Sequence, residues 1–458
     1  MSSDLGAGAL LRGCGAWAPA CSLVLGSCLS ACVRPGPAPA RSDAGGPSAA
    51  VLLDAAPASA PRPGPPFNVV LITVDSLRAD MPWAGYPRPI APRLEELHRR
   101  AVDYPHAYSV SSFTSKSVGA LVSGRYPSEL ARTGVFFTQY LRSNAMVCES
   151  LAEAGVPCVA GMAHAYLAKG YAGFDQGFKD WRLVPGITFD FNTDPYVTSD
   201  KLTPMAIEML SDPALTRAPF FAWFHFMDPH DKYQPHDGGP HFGTRPRDLY
   251  DEEVFYTDGW IGTLVDFIAA QAWGARTVIV VSADHGEAFG EHHELRHGHE
   301  LYEELVHVPL FFLVPGRAAG RTIDAARSQI DLVPTIVELL GQSPAASLRG
   351  KSFMPELLGG DPAPPRDVLC DLPRDDWNDR RRSLLHDGFK IIAFGDDERF
   401  ELYDLRADPD EQADLYWKRR DVAVDMLRRY HEASRALEEV APTGGIPSHD
   451  GGPPKGAK

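Results

Sequence analysis

Four apolar runs punctuate the chain: Phe67 to Val74 (FNVVLITV), Pro219 to Met227 (PFFAWFHFM), Thr277 to Ser282 (TVIVVS) and Val308 to Val314 (VPLFFLV). Each is short and rich in β-branched or aromatic residues, so each predicts a strand buried on both faces. Between them apolar positions recur at helical spacing, in PRLEELHRRAV, ESLAEAG, EEVFYTDGWIGTLVDFIAAQA and SQIDLVPTIVELLG. Strands alternating with helices predict an α/β fold, a mostly parallel sheet with helices on both faces. From residue 366 to 440 the pattern changes. SLLHDGFKIIAFGDDERFELYDL predicts an antiparallel hairpin and DVAVDMLRRYHEASRALEEV a closing helix, together a small C-terminal α+β subdomain. No internal repeat is visible. The main domain then runs from 67 to 365.

The ends of the chain read differently. Residues 13 to 31, GCGAWAPACSLVLGSCLSA, carry no charge and follow Arg12, the pattern of a secretory signal over residues 1–32. The stretch ends in Leu29-Ser30-Ala31-Cys32, which resembles a bacterial lipoprotein cleavage box and makes Cys32 the lipidated residue; an uncleaved membrane anchor is the alternative. Either way the chain is expected outside the cytoplasm, in the cell envelope. Residues 33–66 are rich in Pro, Ala and Gly and predict a disordered tether; residues 441–458 predict a disordered tail. Of seven cysteines, Cys148, Cys158 and Cys370 lie beyond the signal. Cys148 and Cys158 are open to pairing or to burial as free thiols.

A formal net charge of −16 argues against a nucleic-acid partner. It leaves an anionic substrate open, because a bound metal reverses the local field. In a parallel sheet, ligands sit beyond the carboxyl ends of the strands. Three of the apolar runs lead directly into polar residues there: Asp75-Ser76, Asp228-Pro229-His230-Asp231 and Asp284-His285-Gly286. Singly, each acid reads as a helix cap. Jointly, Asp75, Asp284 and His285, with one hydroxyl, make a set able to hold one divalent cation. In GEHHELRHGHE, His292 and His293 read as a solvated loop. His297 and His299, anchored close to a strand, are placed to contact an anion or protonate a leaving group, as is His230. Thr114 opens a helical stretch, either as its cap or as a nucleophile activated by metal.

These residues fall within six ordered blocks: NVVLITVDSLRADM, SSFTSKSVGALVSGRYPSE, FHFMDPHDKY, SADHGEAFGEHHELRHGHELYEELVHVPL, SQIDLVPTIVELLG and FELYDLRADPDEQADL. Over residues 67–415 the chain resembles the sulfatase family of the alkaline phosphatase superfamily. The resemblance implies an alkaline-phosphatase-like sheet and a metal-dependent ester hydrolase. It makes Asp75, Thr114, Asp284 and His285 ligands of one divalent metal, with Zn, Mn, Ca and Mg all compatible with that ligand set. It also implies Thr114 as nucleophile, His230 as a substrate contact, His297 or His299 as the base near the leaving group, and His164 as a pocket histidine. Lys116 becomes a contact to the substrate anion.

The departures redirect the chemistry. The family's C/S-x-P-x-R segment is Thr114-Ser115-Lys116-Ser117-Val118 here, so no formylglycine is expected. Ser76 stands where the family commonly carries a second acid. A sulfated threonine has no second hydroxyl to expel sulfate, whereas a phosphorylated one can be cleared by water. The expectation is therefore cleavage of a phosphate mono- or diester, or phospho transfer, through a covalent Thr114 intermediate. The alternatives are a sulfuric ester hydrolase using water directly, and a non-catalytic, lipid-anchored protein binding an anionic glycan. The expected partner is an anionic ester on a sugar, lipid or small molecule.

Overall fold

A computed structural model describes residues 64–189, 195–317 and 320–446. The signal-like segment, Cys32, most of the tether and the chain beyond 446 lie outside the described residues. The main sheet has eight strands: β1 (Asn68–Val74), β2 (Val102–Asp103), β3 (Cys158–Met162), β4 (Asp180–Leu183), β5 (Phe221–Phe226), β6 (Thr277–Ala283), β7 (Leu310–Leu313) and β8 (Arg321–Thr322). They lie in the order β8-β2-β7-β6-β1-β5-β3-β4. β1 pairs in parallel with β5 and β6, and β3 continues the parallel set on to β4. β7 runs against both of its neighbours.

All four apolar runs hold a strand of this sheet. The run from 308 is cut at Pro309, which has no N–H to give a ladder. His307–Val308 instead pairs with Ala107–Tyr108 in a separate small sheet, and β7 begins at Leu310. β3 escaped the sequence pattern because CVAGM is short and contains a glycine. That glycine has a packing reason: a Cβ on Gly161 would lie 3.0 Å from Phe224 on the adjoining strand.

The helices that matter for the site are α1 (Pro92–His98), α2 (Thr114–Ser123), α3 (Ser199–Leu210), α4 (Pro246–Ala269), α5 (Leu332–Leu339) and α6 (Arg420–Arg435). β1 alternates between two cores. Val69 and Leu71 join Val118 and Leu121 of α2 and Leu332 and Ile336 of α5. Val70, Ile72 and Val74 join Leu94 of α1, Leu202 of α3 and Ile261 and Leu264 of α4. Burial on both faces is why the central strands read as unbroken apolar runs.

The four C-terminal strands, β9 (Val368–Leu372), β10 (Arg381–His386), β11 (Phe389–Phe394) and β12 (Arg399–Asp404), form an antiparallel sheet in chain order. Ala423, Met426 and Tyr430 of α6 cover Leu384, Ile391 and Leu402. Cys148, Cys158 and Cys370 are buried free thiols. Among the described residues no helix is long and apolar enough to cross a membrane.

Buried charges lock this C-terminal part onto the main sheet's loops. Lys116 Nζ lies 2.8 Å from Asp375 Oδ2 and donates to the Phe136 carbonyl, between the rings of Phe113 and Phe136. Its side chain is 1 % exposed, so the expected contact to a substrate anion is corrected: the ammonium is consumed by the interlock. Lys390 Nζ, also fully buried, bridges Glu303 and Glu411. His292 is likewise no solvated loop residue. Its ring stacks on Tyr302 at 3.8 Å, its Nδ1 meets Glu304 at 2.9 Å and its Nε2 donates to the Glu411 carbonyl. Burial alone lowers the His292 imidazole, but the hydrogen bond and charge of Glu304 outweigh it and push it up to about 9.

Asp375→Ala strands the Lys116 charge and is expected to cost about 3–5 kcal/mol, read by denaturant unfolding, with Lys116→Met/Asp375→Leu recovering most of it. The raised His292 value makes its stabilisation complete below about pH 6.5 and lost as pH climbs through about 9. Thermal midpoints measured across that window should fall for the wild type and stay flatter for His292→Ala.

Candidate active site

Parallel register aligns the strand ends. Val74 lies beside Ala283 on one side and Phe226 on the other, and Met162 lies beside His225. The next residues therefore emerge together: Asp75 after β1, Asp284 and His285 after β6, His230 after β5 and His164 after β3. The N-terminus of α2 brings Thr114 onto the same point, 3.0 Å from His285 Nε2. Phe113, not Thr114, is the helix cap residue, and the Thr114 hydroxyl is turned into the cluster.

Asp75, Asp284 and His285 are wholly buried, and one ligand atom from each lies within 4.8 Å of the others. His285 Nε2 is 3.6 Å from Asp75 Oδ1 and 3.4 Å from Asp284 Oδ2. His285 Nδ1 faces the Gly286 carbonyl at 2.9 Å, so the proton sits there and Nε2 carries the lone pair. Asp284 Oδ2 is buried with no hydrogen-bond partner. A lone carboxylate oxygen, a second carboxylate, an imidazole lone pair and a hydroxyl fit a divalent cation and leave no protein cation competing for the spot.

Ser76 organises these ligands. Its N–H donates to Asp284 Oδ1 at 3.3 Å and its hydroxyl to Asp75 Oδ1 at 3.1 Å. Its φ of 58° is left-handed, a conformation that costs a non-glycine residue roughly 1–3 kcal/mol and that sites of this kind retain. Tyr250 Oη donates to the Ser76 carbonyl and accepts from Arg78 N, holding the turn.

The other oxygen of Asp75 faces two imidazoles, His225 Nε2 at 3.2 Å and His164 Nδ1 at 3.5 Å. This trio is a second grouping with ligand spacing. His225 also has a continuous hydrogen-bond account: Trp223 Nε1 donates to Thr73 Oγ1, and Thr73 Oγ1 lies 2.8 Å from His225 Nδ1. The proton is thereby placed on Nε2, which donates to Asp75. Burial pushes Asp75 up, but hydrogen bonds from His164 and His225 and the nearby His230 and His285 more than reverse it, and its carboxyl stands well below the usual range.

His297 belongs to the cluster and His299 does not. The His297 ring lies 4.2 Å from His285 and 5.0 Å from His230. His299 Nδ1 is 2.6 Å from Asn378 Oδ1, with its ring over Phe136. His297 Nδ1 donates to Glu287 Oε1 at 3.0 Å, and Glu287 Oε2 accepts from Tyr233 at 2.8 Å. Burial raises Glu287, but the charge and hydrogen bond of His297 overcome it and the carboxyl lies below its ordinary value. Asp228 is occupied elsewhere, accepting from Thr198 and Ser199 at the start of α3.

Sequence reasoning missed Ser76 as an organiser, and missed His225, Glu287 and Tyr233 altogether. A signal existed for His225: it and Thr73 are polar positions inside largely apolar central strands, and they are direct register partners. Glu287 had none beyond following Asp284-His285-Gly286, and Tyr233 none at all.

The chain matches the family model "Sulfatase" over residues 67–342 and the model "N-sulphoglucosamine sulphohydrolase, C-terminal" over 290–435. It is 26% identical to an ulvan-active sulfatase of Formosa agariphila over 351 residues, which cover 66% of this chain and 67% of that protein. It is 30% identical to arylsulfatase K of Gallus gallus over 176 residues, covering 36% of this chain but only 33% of that one. Among solved structures, Ps i-CgsB in complex with k-i-k-neocarrahexaose superposes with a TM-score of 0.69 at 19% identity, covering 82% of this chain and 94% of its own. At that identity the superposition speaks for the fold. The phosphate-ester reading built on a covalent Thr114 intermediate is overturned by these matches, which lie with sulfatases over both the main sheet and the C-terminal part. With a strand-end centre of two carboxylates, a histidine and a threonine on this sheet, and with three fifths of its length matched, the chain belongs to the sulfatase family, ester hydrolases of the alkaline phosphatase superfamily.

Proposed function

We propose that the chain hydrolyses a sulfate ester on a carbohydrate, with water rather than a formylglycine as the attacking group. The observation that carries this reading is the charge of the centre. Among the described residues, Asp75 and Asp284 are the carboxylates grouped with His285 at ligand spacing, and Ser76, hydrogen-bonded to both, stands in place of a further acid. One divalent cation would neutralise them. A sulfate monoester adds a single negative charge, which the neighbouring imidazoles of His164 and His230 suit as contacts, with His297 beside them at 5.0 Å from His230. The match to a sulfatase named for its action on ulvan supports the carbohydrate.

The residues then divide the work. Asp75, Thr114, Asp284 and His285 would hold the cation, which supplies positive charge opposite the sulfuryl oxygens. Glu287 fixes the proton on His297 Nδ1, so Nε2 is the nitrogen that takes the proton of the attacking water. As the new S–O bond forms, the bond from sulfur to the sugar oxygen breaks. His230 gives that oxygen its proton; its Nδ1 is turned to the Asp231 carbonyl at 2.8 Å, which orients the ring. Thr114 serves as a ligand and an orienting hydroxyl, beside a helix N-terminus that favours an anion.

Aryl sulfate turnover by Thr114→Ala should fall no more than about 10²-fold, because water supplies the nucleophile. Complete loss in that variant, with metal content unchanged, would sink the water route. Asp284→Ala, the control, should lose both turnover and the metal that elemental analysis finds in the wild type. Glu287→Gln should lower kcat about 10- to 10²-fold while leaving KM near its wild-type value, since it disturbs the orientation of the base rather than the sulfate contacts. An unchanged kcat would remove Glu287 and His297 from the proton path.

A further inference from the structure

A cavity of about 280 Å³ opens between the loop after β5 and the outer face of α4, away from the acids and imidazoles of the centre. Its walls are Phe255, Tyr256 and Trp260 on α4, faced by His236, Asp237 and the turn at Gly238. One aromatic pair is parallel and the next is crossed. His236 stacks on Tyr256 at 4.0 Å and 5°, while Tyr256 and Trp260 meet at 68°. His236 is braced from behind by Glu253, 3.7 Å away, and Glu253 in turn accepts from the Gln234 backbone.

The floor of the cavity is kept open by a residue that helix formation disfavours. Gly259 lies within the 24 residues of α4, where glycine costs about 1 kcal/mol against alanine. Packing does not demand it: a Cβ there would meet nothing within 4 Å. Its lack of a side chain instead preserves the space above Trp260 and Thr263.

We propose that this cavity is a sugar subsite, taking a neutral pyranose unit of the same carbohydrate whose sulfate ester is cleaved at the centre. The proposal rests on the reading of the centre given above. The lining contains no Lys or Arg and one acid, Asp237, so a sulfated unit is repelled and an uncharged one is not. Aromatic faces suit the apolar C–H faces of a pyranose, and Asp237 and Thr263 offer hydrogen-bond partners to its hydroxyls. His236 follows His230 by six residues, so the loop spans at most about 22 Å between centre and cavity. That is the reach of a short oligosaccharide. Tyr233, between them, is hydrogen-bonded to Glu287, so the same loop shapes both places.

The test uses the full chain and a panel of neutral tetrasaccharides, including desulfated carrageenan tetrasaccharide, titrated by calorimetry. Gly259→Leu puts a side chain into the cavity from a position where a Cβ meets nothing within 4 Å, and leucine is a good helix former; Trp260→Ala removes a wall. At least one neutral tetrasaccharide should bind the wild type, and both variants should bind it about tenfold or more weakly, with aryl sulfate turnover within about twofold of wild type. If no neutral tetrasaccharide binds the wild type, or Gly259→Leu binds it equally well, the subsite is overturned. A loss of aryl sulfate turnover equal to the loss of binding would overturn it too, by assigning the effect to the centre. Failure of the wild type to cleave any sulfate ester would instead sink the reading of the centre, while the titration still reports on the cavity.

Discussion

Two carboxylates, Asp75 and Asp284, are taken out of water within a few ångströms of each other, and the rest of the centre follows from that. Like charges so placed repel strongly at low dielectric unless a cation and hydrogen-bond donors answer them. Donors arrive from every side: the backbone and hydroxyl of Ser76, the imidazoles of His225 and His164, and the relay through Thr73 and Trp223. What remains is an unpartnered oxygen on Asp284 and a lone pair on His285, which is the cation's share. The parallel register of β1, β5 and β6 makes this possible, because it delivers acid and imidazole to one edge without a loop having to carry them.

How much of this was legible depended on whether local pattern or long-range geometry decided the point. The apolar runs marked the strands because burial on both faces leaves few polar positions, and the polar residues where those runs stop marked Asp75, Asp284, His285 and His230. The reversed direction of β7 was not legible, since pairing direction leaves no trace in a short run. Nor was the fate of Lys116, whose partner Asp375 lies far along the chain. His297 and His299 are two residues apart and looked equivalent; only Asn378, from the C-terminal part, separates them.

The instructive error concerned Thr114. The missing second hydroxyl does bar turnover through a covalent sulfate intermediate, but the expectation ranked attack by this side chain above direct attack by water, which stood as the alternative. The site geometry offers a second candidate for activating a nucleophile, the buried Glu287–His297 pair, which adjoins the ligands and needs no covalent step. Sequence spacing could not weigh that pair, because Glu287 carried no motif of its own.

The interlock between the loops of the centre and the C-terminal sheet has a consequence for how the protein comes into being. Lys116, His292 and His299 are fixed by Asp375, Glu411 and Asn378. A ribosome that has delivered every ligand of the centre has still not delivered these anchors. A chain cut before residue 375 would hold both acids and the histidines of the centre but none of the three anchors, and its Lys116 ammonium would be left without the Asp375 carboxylate. The sheet that carries the acids and imidazoles is thus not enough to hold the loops around them; their fastening is distributed over a part of the chain that supplies none of the chemistry.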